Sequence, residues 1–210
     1  MSQLTIWGRH NSNNVKKALW AAGELGLSFD SKIVGMQYGG TRTPEYLAMN
    51  PMAQIPTLQD GDLVLCESNA IVRYLFAQYA PESTFPTEAS AKSRSAGDRW
   101  MDWTLSTLTP VFKGVFWPVV RQKEEERDWD AIRASMAEVE KLLVVAEAWL
   151  DKHAWFSGET FGAGDIPIGC FLYAWFEMPI ERESRPRLEA WMGKLKERPA
   201  FQAAVMAPLT

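Results

Sequence analysis

The sequence predicts an α/β N-terminal domain of order βαβ-α-ββα, followed by an all-helical, bundle-like C-terminal domain. Three observations predict it. Short β-rich runs alternate with helical periodicity over the first 80 residues, an Asp60-Gly61-Asp62 turn joins two of those runs, and beyond Ser90 the chain repeats almost throughout at helical spacing. The expected boundaries are 1–80 for the first domain, 81–88 for a linker and 89–210 for the second.

Each element has its own signal. Leu4–Trp7 is a strand-like run, and Val15, Ala18, Leu19, Ala22 and Leu25 then recur at helical spacing up to the stop signal Gly26. Phe29–Val34 reads as a second strand. The Gly-containing loop after it leads into the short helical segment Pro44–Met49, ended by Asn50-Pro51. Strands at Thr57–Gln59 and Leu63–Cys66 flank the Asp-Gly turn and should pair antiparallel. Ser68 is placed to cap a helix whose stripe is Ile71, Val72, Leu75, Phe76 and Tyr79. Two prolines and small polar residues in 81–88 mark the linker. Beyond it, Trp100, Trp103, Leu108, Phe112, Val115 and Val119 form a stripe that Pro110 and Pro118 should bend or break. Ile132, Met136, Val139, Leu143, Ala146 and Leu150 make a packed seam, and Asp165–Phe176 and Pro186–Lys196 complete the helical region.

Composition narrows the function. At 210 residues the chain has room for one large or two small domains, and 47% hydrophobic against 23% charged residues excludes a disordered chain. A net charge of −4 argues against nucleic acid or anionic lipid as partner. Two cysteines, Cys66 and Cys170, are too few for a disulfide framework and lie in no metal-ligating cluster, so no metal and a reducing compartment are expected. The N-terminus has the pattern of neither a secretory signal nor a membrane span, and a cytoplasmic location is expected.

Candidate chemistry sits where predicted elements begin. Asn11-Ser12-Asn13-Asn14 lies between the first strand and helix, where unpaired N–H groups and the helix dipole stabilise an anion; the same residues also suit ordinary capping. Gln54-Ile55-Pro56 precedes a strand, and the Ile-Pro bond can be trans, the default by a small margin, or cis. In the cis form the Ile55 main chain would face outward to pair with an extended peptide. Glu67-Ser68 opens a helix and would suit the zwitterionic end of an amino acid, or serve as an acidic cap. His10 and His153 read as structural or solvated.

The order of these parts over essentially the whole chain resembles the glutathione transferase family. The segments VKKALWAAGELGL, NPMAQIPTLQDGDLVLCESNAIVRYL, RWMDW, WFSGETFGAGDIPIG and AWMGKLKERPAFQ look like its bacterial theta-like and nu-like branch. The resemblance implies a thioredoxin-like N-terminal domain, a homodimer, and detoxifying attack by the glutathione thiolate on a soft hydrophobic electrophile. It implies a cis-proline at Pro56, pairing of the Ile55 main chain with the cysteinyl unit, and Glu67 with Ser68 at the γ-glutamyl end. Gln54 and Arg42 would serve the glycyl carboxylate. The thiol-activating residue is Ser12 first and Asn13 second, with Asn11 also open. Trp103, Phe112 and Phe116, with Trp100 and Trp117 of the same segment from Arg99 to Trp117, are candidates for the electrophile site. Gly162 stands where the family has a Ser or Thr cap, with Asp165 kept. Two other readings stay open: glutathione-dependent disulfide reduction, and a non-catalytic binding protein of the same fold.

Overall fold

The computed structural model describes residues 4–209 and divides into two units. The first unit contains residues 4–81 together with 199–207. Its elements are β1 (Leu4–Trp7), α1 (Asn13–Glu24), β2 (Phe29–Lys32), α2 (Pro44–Met49), β3 (Thr57–Asp60), β4 (Leu63–Cys66), α3 (Ser68–Tyr79) and, from the far end of the chain, Pro199–Ala204. The sheet order is β2-β1-β3-β4; β1 and β2 run parallel around the α1 crossover, and β3 and β4 form the antiparallel hairpin. This is the thioredoxin-like arrangement.

Local chemistry accounts for the element ends. α1 closes with Gly26 at φ +64°, where the Leu27 N–H donates to Ala22 O at 3.0 Å, a glycine-dependent C-terminal turn. α2 opens with Thr43, whose hydroxyl accepts from the Tyr46 N–H, and has Pro44 in its first turn. The apolar faces of α1 and α3 bury Val15, Ala18, Ile71, Val72 and Leu75.

Pro199–Ala204 packs on α1, whereas the sequence reading carried it with the helical domain. Phe201 sits edge-on to Trp20 at 4.8 Å between ring centres, and Lys16 Nζ donates to Val205 O at 2.9 Å. An apolar helical stripe says that a face is buried but not against what.

The second unit contains α4 (Ala91–Trp103), α5 (Thr109–Arg121), α6 (Trp129–Leu150), α7 (Asp165–Glu177) and α8 (Pro186–Lys196), which makes the segment Pro199–Ala204 α9. The proline stripe breaks as expected. A π-helical turn over Thr104–Leu108 separates α4 from α5, Pro110 stands in the first turn of α5, and Pro118 lies inside it. α7 is buried on nearly every side and forms the centre of the unit.

Where α7 begins, Gly164 lies against Gly97 of α4: a Cβ on Gly164 would stand 2.3 Å from the Gly97 Cα. Its φ of −64° is ordinary, so glycine is required by the close approach alone. Gly164→Ala is expected to force the helices apart and lower Tm by about 6–12 °C, as read by thermal melting.

Candidate functional site

Three segments of the first unit converge. The first is the turn from β1 to α1. Gly8 leaves the strand at φ +149°, and a Cβ there would lie 2.5 Å from Val15 Cγ2 and 3.3 Å from Ile55 Cβ. Only glycine lets the turn lie this close to the Ile55 segment. Arg9 Nη1 donates to Asn11 Oδ1 at 2.7 Å, and the Ser12 N–H donates to Arg9 O. Ser12 holds the N-cap position of α1 in extended conformation, and its C=O accepts from the Lys16 N–H. Its hydroxyl nevertheless makes no capping bond. Asn13 is the first helical residue. The first turn of α1 contains no acidic residue, so the helix dipole there is not neutralised locally. His10 bonds to Ser31 at 2.6 Å.

The second segment is Gln54-Ile55-Pro56, and its Ile-Pro bond is cis. A buried polar clamp holds both flanks. Tyr46 Oη donates to Gln54 O at 2.6 Å, Asn50 Nδ2 donates to the same oxygen at 2.9 Å, and both side chains bond to Thr57 Oγ1. Burial pushes the Tyr46 hydroxyl above its usual pKa, which keeps it a neutral donor. Between the clamped ends, the Ile55 N–H and C=O bond to nothing else among the described residues. They have the form of a one-residue strand edge.

The third segment is Glu67-Ser68. Glu67, not Ser68, occupies the N-cap of α3, at φ +71° and ψ 110°; Ser68 is the first helical residue. A left-handed glutamate costs about 1–3 kcal/mol and persists only where its surroundings enforce it. Here Cys66 is held in register with Thr57 on one side, and Ser68 Oγ bonds to Lys17 Nζ and Asn14 Oδ1 on the other. The enforced backbone leaves the Glu67 side chain exposed and spends no carboxylate oxygen on the cap. Arg42, on the approach to α2, and the Gln54 side chain are also exposed, and neither makes a hydrogen bond or ion pair among the described residues.

The electrophile candidates separate. Trp103 packs on Trp100 and lines a cleft of about 380 Å³ between α4 and α6, with Arg99 and Trp149. Phe112 is core instead, 1% exposed against Phe171 and Trp175; Phe116 stacks on it and is half-buried. Of the remaining aromatics of that segment, Trp100 is buried and Trp117 exposed.

The N-terminal domain model of the glutathione S-transferase family matches residues 2–77, and its C-terminal domain model matches residues 107–199. The chain is 42% identical over 209 residues to glutathione S-transferase GstB of Escherichia coli (strain K12), covering 99% of this chain and 100% of that one. The chain belongs to the glutathione S-transferase family. Glutathione S-transferase 3 of Zea mays is 31% identical, covering 99% of this chain and 95% of the relative. The theta class glutathione S-transferase of Xanthomonas axonopodis pv. citri, solved with glutathione bound, superposes with a TM-score of 0.94 at 54% identity over 100% of both chains.

In glutathione transfer the thiol belongs to the cosubstrate, and neither cysteine of this chain lies in the turn before α1. Cys170 is buried in α7, and Cys66 is half-buried at the end of β4. Sequence reasoning missed Tyr46, Asn50 and Thr57 as the clamp and Lys17 beneath Ser68. Asn50 alone carried a local signal, standing before a proline and four residues from Gln54.

Proposed function

We propose that this glutathione transferase binds glutathione extended along the three segments and activates its thiol with Ser12 for attack on a soft, hydrophobic electrophile. The γ-glutamyl end lies at Glu67 and Ser68, with its ammonium toward the exposed carboxylate and its carboxylate toward the N–H groups that open α3. The cysteinyl unit pairs with the Ile55 main chain. Gln54 and Arg42 take the glycyl carboxylate. What carries the reading is the Ser12 hydroxyl: it stands at the N-cap of α1, where the helix dipole is positive, and is not spent on the cap. The thiolate then receives one donated bond plus the dipole. Asn11 and Asn13 are the alternative donors in the same turn.

Attack forms the carbon–sulfur bond as the leaving group departs from the electrophile, or as its double bond shifts, and the thiol proton goes to solvent. Removing the γ-glutamyl contact tests the pose: Glu67→Gln is expected to raise KM for glutathione about 10-fold with kcat nearly unchanged, the pattern of uniform binding loss. An unchanged KM contradicts the placement. Activity on an aryl halide exceeding that on hydroxyethyl disulfide separates conjugation from disulfide reduction, and neither activity would leave a binding protein.

The working form is a homodimer in the cytoplasm. In support, Val144 and Val145 stand 51% and 54% exposed on α6 beside the aromatic α4–α6 cleft, an apolar face suited to cover by a second copy. Two free cysteines fit a reducing compartment. Light scattering is expected to report twice the chain mass, and Val145→Glu to shift it toward the monomer.

A further inference from the structure

The first turn of α3 is built over a buried cation. Lys17 is 1% exposed, and its Nζ donates to Ser68 Oγ at 3.3 Å and to Asn69 Oδ1 at 3.2 Å. An ammonium only donates, so Ser68 Oγ must accept from it and turn its own hydrogen to Asn14 Oδ1 at 3.4 Å. The Ser68 hydroxyl is therefore committed within the protein. What this helix end offers a ligand is its main-chain N–H groups, with the dipole of a 12-residue helix and a desolvated positive charge behind them. Burying an ammonium is costly, and an apolar side chain of similar length would fill the same space more cheaply. Glu67 projects the opposite charge on the outer side of the same turn. The two charges have the polarity of an α-amino acid: positive beneath Ser68, negative at Glu67.

We infer that Lys17 is a positioning residue for glutathione, holding Ser68 in place and setting the potential that selects the α-carboxylate of the γ-glutamyl unit. The inference rests on the placement of that unit at Glu67 and Ser68. Lys17 touches no reacting atom, so its effect falls on recognition of one carboxylate and not on the thiol.

The test compares glutathione with γ-aminobutanoyl-cysteinyl-glycine, which lacks only that carboxylate, in the wild type, Lys17→Met and Lys17→Arg. The wild type should prefer glutathione in KM by about 30-fold, the size of a charge-assisted hydrogen bond. Lys17→Met should shrink the preference to about threefold or less, while Lys17→Arg keeps most of it. A merely structural lysine would weaken both peptides alike. An undiminished preference in Lys17→Met overturns the inference and leaves the pose standing; no preference in the wild type overturns both. Should Lys17→Met not fold, the side-chain NMR signal of Lys17 in the wild type decides. It should move on adding glutathione and not the analogue, and equal movement with both contradicts the inference.

Discussion

Asp165→Ala is expected to destabilise the second unit by about 4–5 kcal/mol, the largest stability effect of any single substitution considered, and to yield little folded protein at 37 °C. The carboxylate is fully buried at the start of α7 and accepts four bonds. Oδ1 takes the Phe156 N–H at 2.8 Å and Trp191 Nε1 at 3.1 Å, and Oδ2 takes the Ser157 and Gly162 N–H groups, both at 3.2 Å. It thus ties the loop before α7, the first turn of α7 and α8 into one body. Alanine strands four buried donors, each costing about 1–3 kcal/mol when unmet. Asparagine keeps the shape but turns an NH2 group against N–H donors, so Asp165→Asn should be nearly as harmful. The N-cap of α7 is Gly164 and not Gly162, the position matched to the family's hydroxyl cap; the Gly162 N–H reaches Asp165 directly, and a Cβ there would lie within 3.0 Å of Glu88, Thr87 and Ser157 side-chain oxygens.

The same carboxyl has a pH signature. Burial pushes it up to about 6, against the pull of its four donors, so the folded state holds the proton more tightly than the unfolded chain. A raised carboxyl pKa means that the stability it contributes is greatest below about pH 4 and falls as pH rises toward 6, then stays level. The margin of the wild type over Asp165→Asn should narrow as pH rises across that window, read by denaturant unfolding at each pH.

Ser12→Ala is expected to lower kcat/KM about 10- to 100-fold near pH 6.5 with little change in glutathione affinity, because a hydrogen bond to a charged sulfur is worth about 1.5–3 kcal/mol. The dipole of α1 alone supplies up to about 2 kcal/mol, or roughly one pK unit or slightly more, so some activation survives. The loss should fade toward pH 9, where solution chemistry ionises the thiol without help. A loss equal at every pH would point to misplacement of glutathione and not to activation; no loss would move the role to Asn11 or Asn13.

Most of the order of elements was legible because its signals are local. The short β-rich runs, the helical stripes, the Asp-Gly turn and the proline breaks each depend on a few neighbouring residues. What escaped depends on distant ones. Ser68 suits an N-cap by composition, but Lys17, 51 residues away, holds its oxygen, and the left-handed Glu67 takes the cap instead. The Tyr46–Asn50–Thr57 clamp is a set of bonds between side chains that no spacing rule links. Phe112 and Trp103 share a stripe, yet one meets α7 and the other borders a cleft, since periodicity marks a face without saying what it meets. At the site, the positions of Ser12, Ile55, Pro56 and Glu67 were readable as element starts and the cis bond at Pro56 followed from the family resemblance, whereas the left-handed backbone of Glu67 was not readable.

The central claim is that this turn lowers the pKa of glutathione's thiol, and the direct measurement is the ultraviolet thiolate absorbance of bound glutathione titrated with pH in the wild type and in Ser12→Ala. The account predicts a bound thiol at least about one unit below the free value near 8.5 in the wild type, shifted back up by about one to two units in the variant. A thiolate signal in the wild type that titrates like free glutathione, or that Ser12→Ala leaves in place, would contradict it.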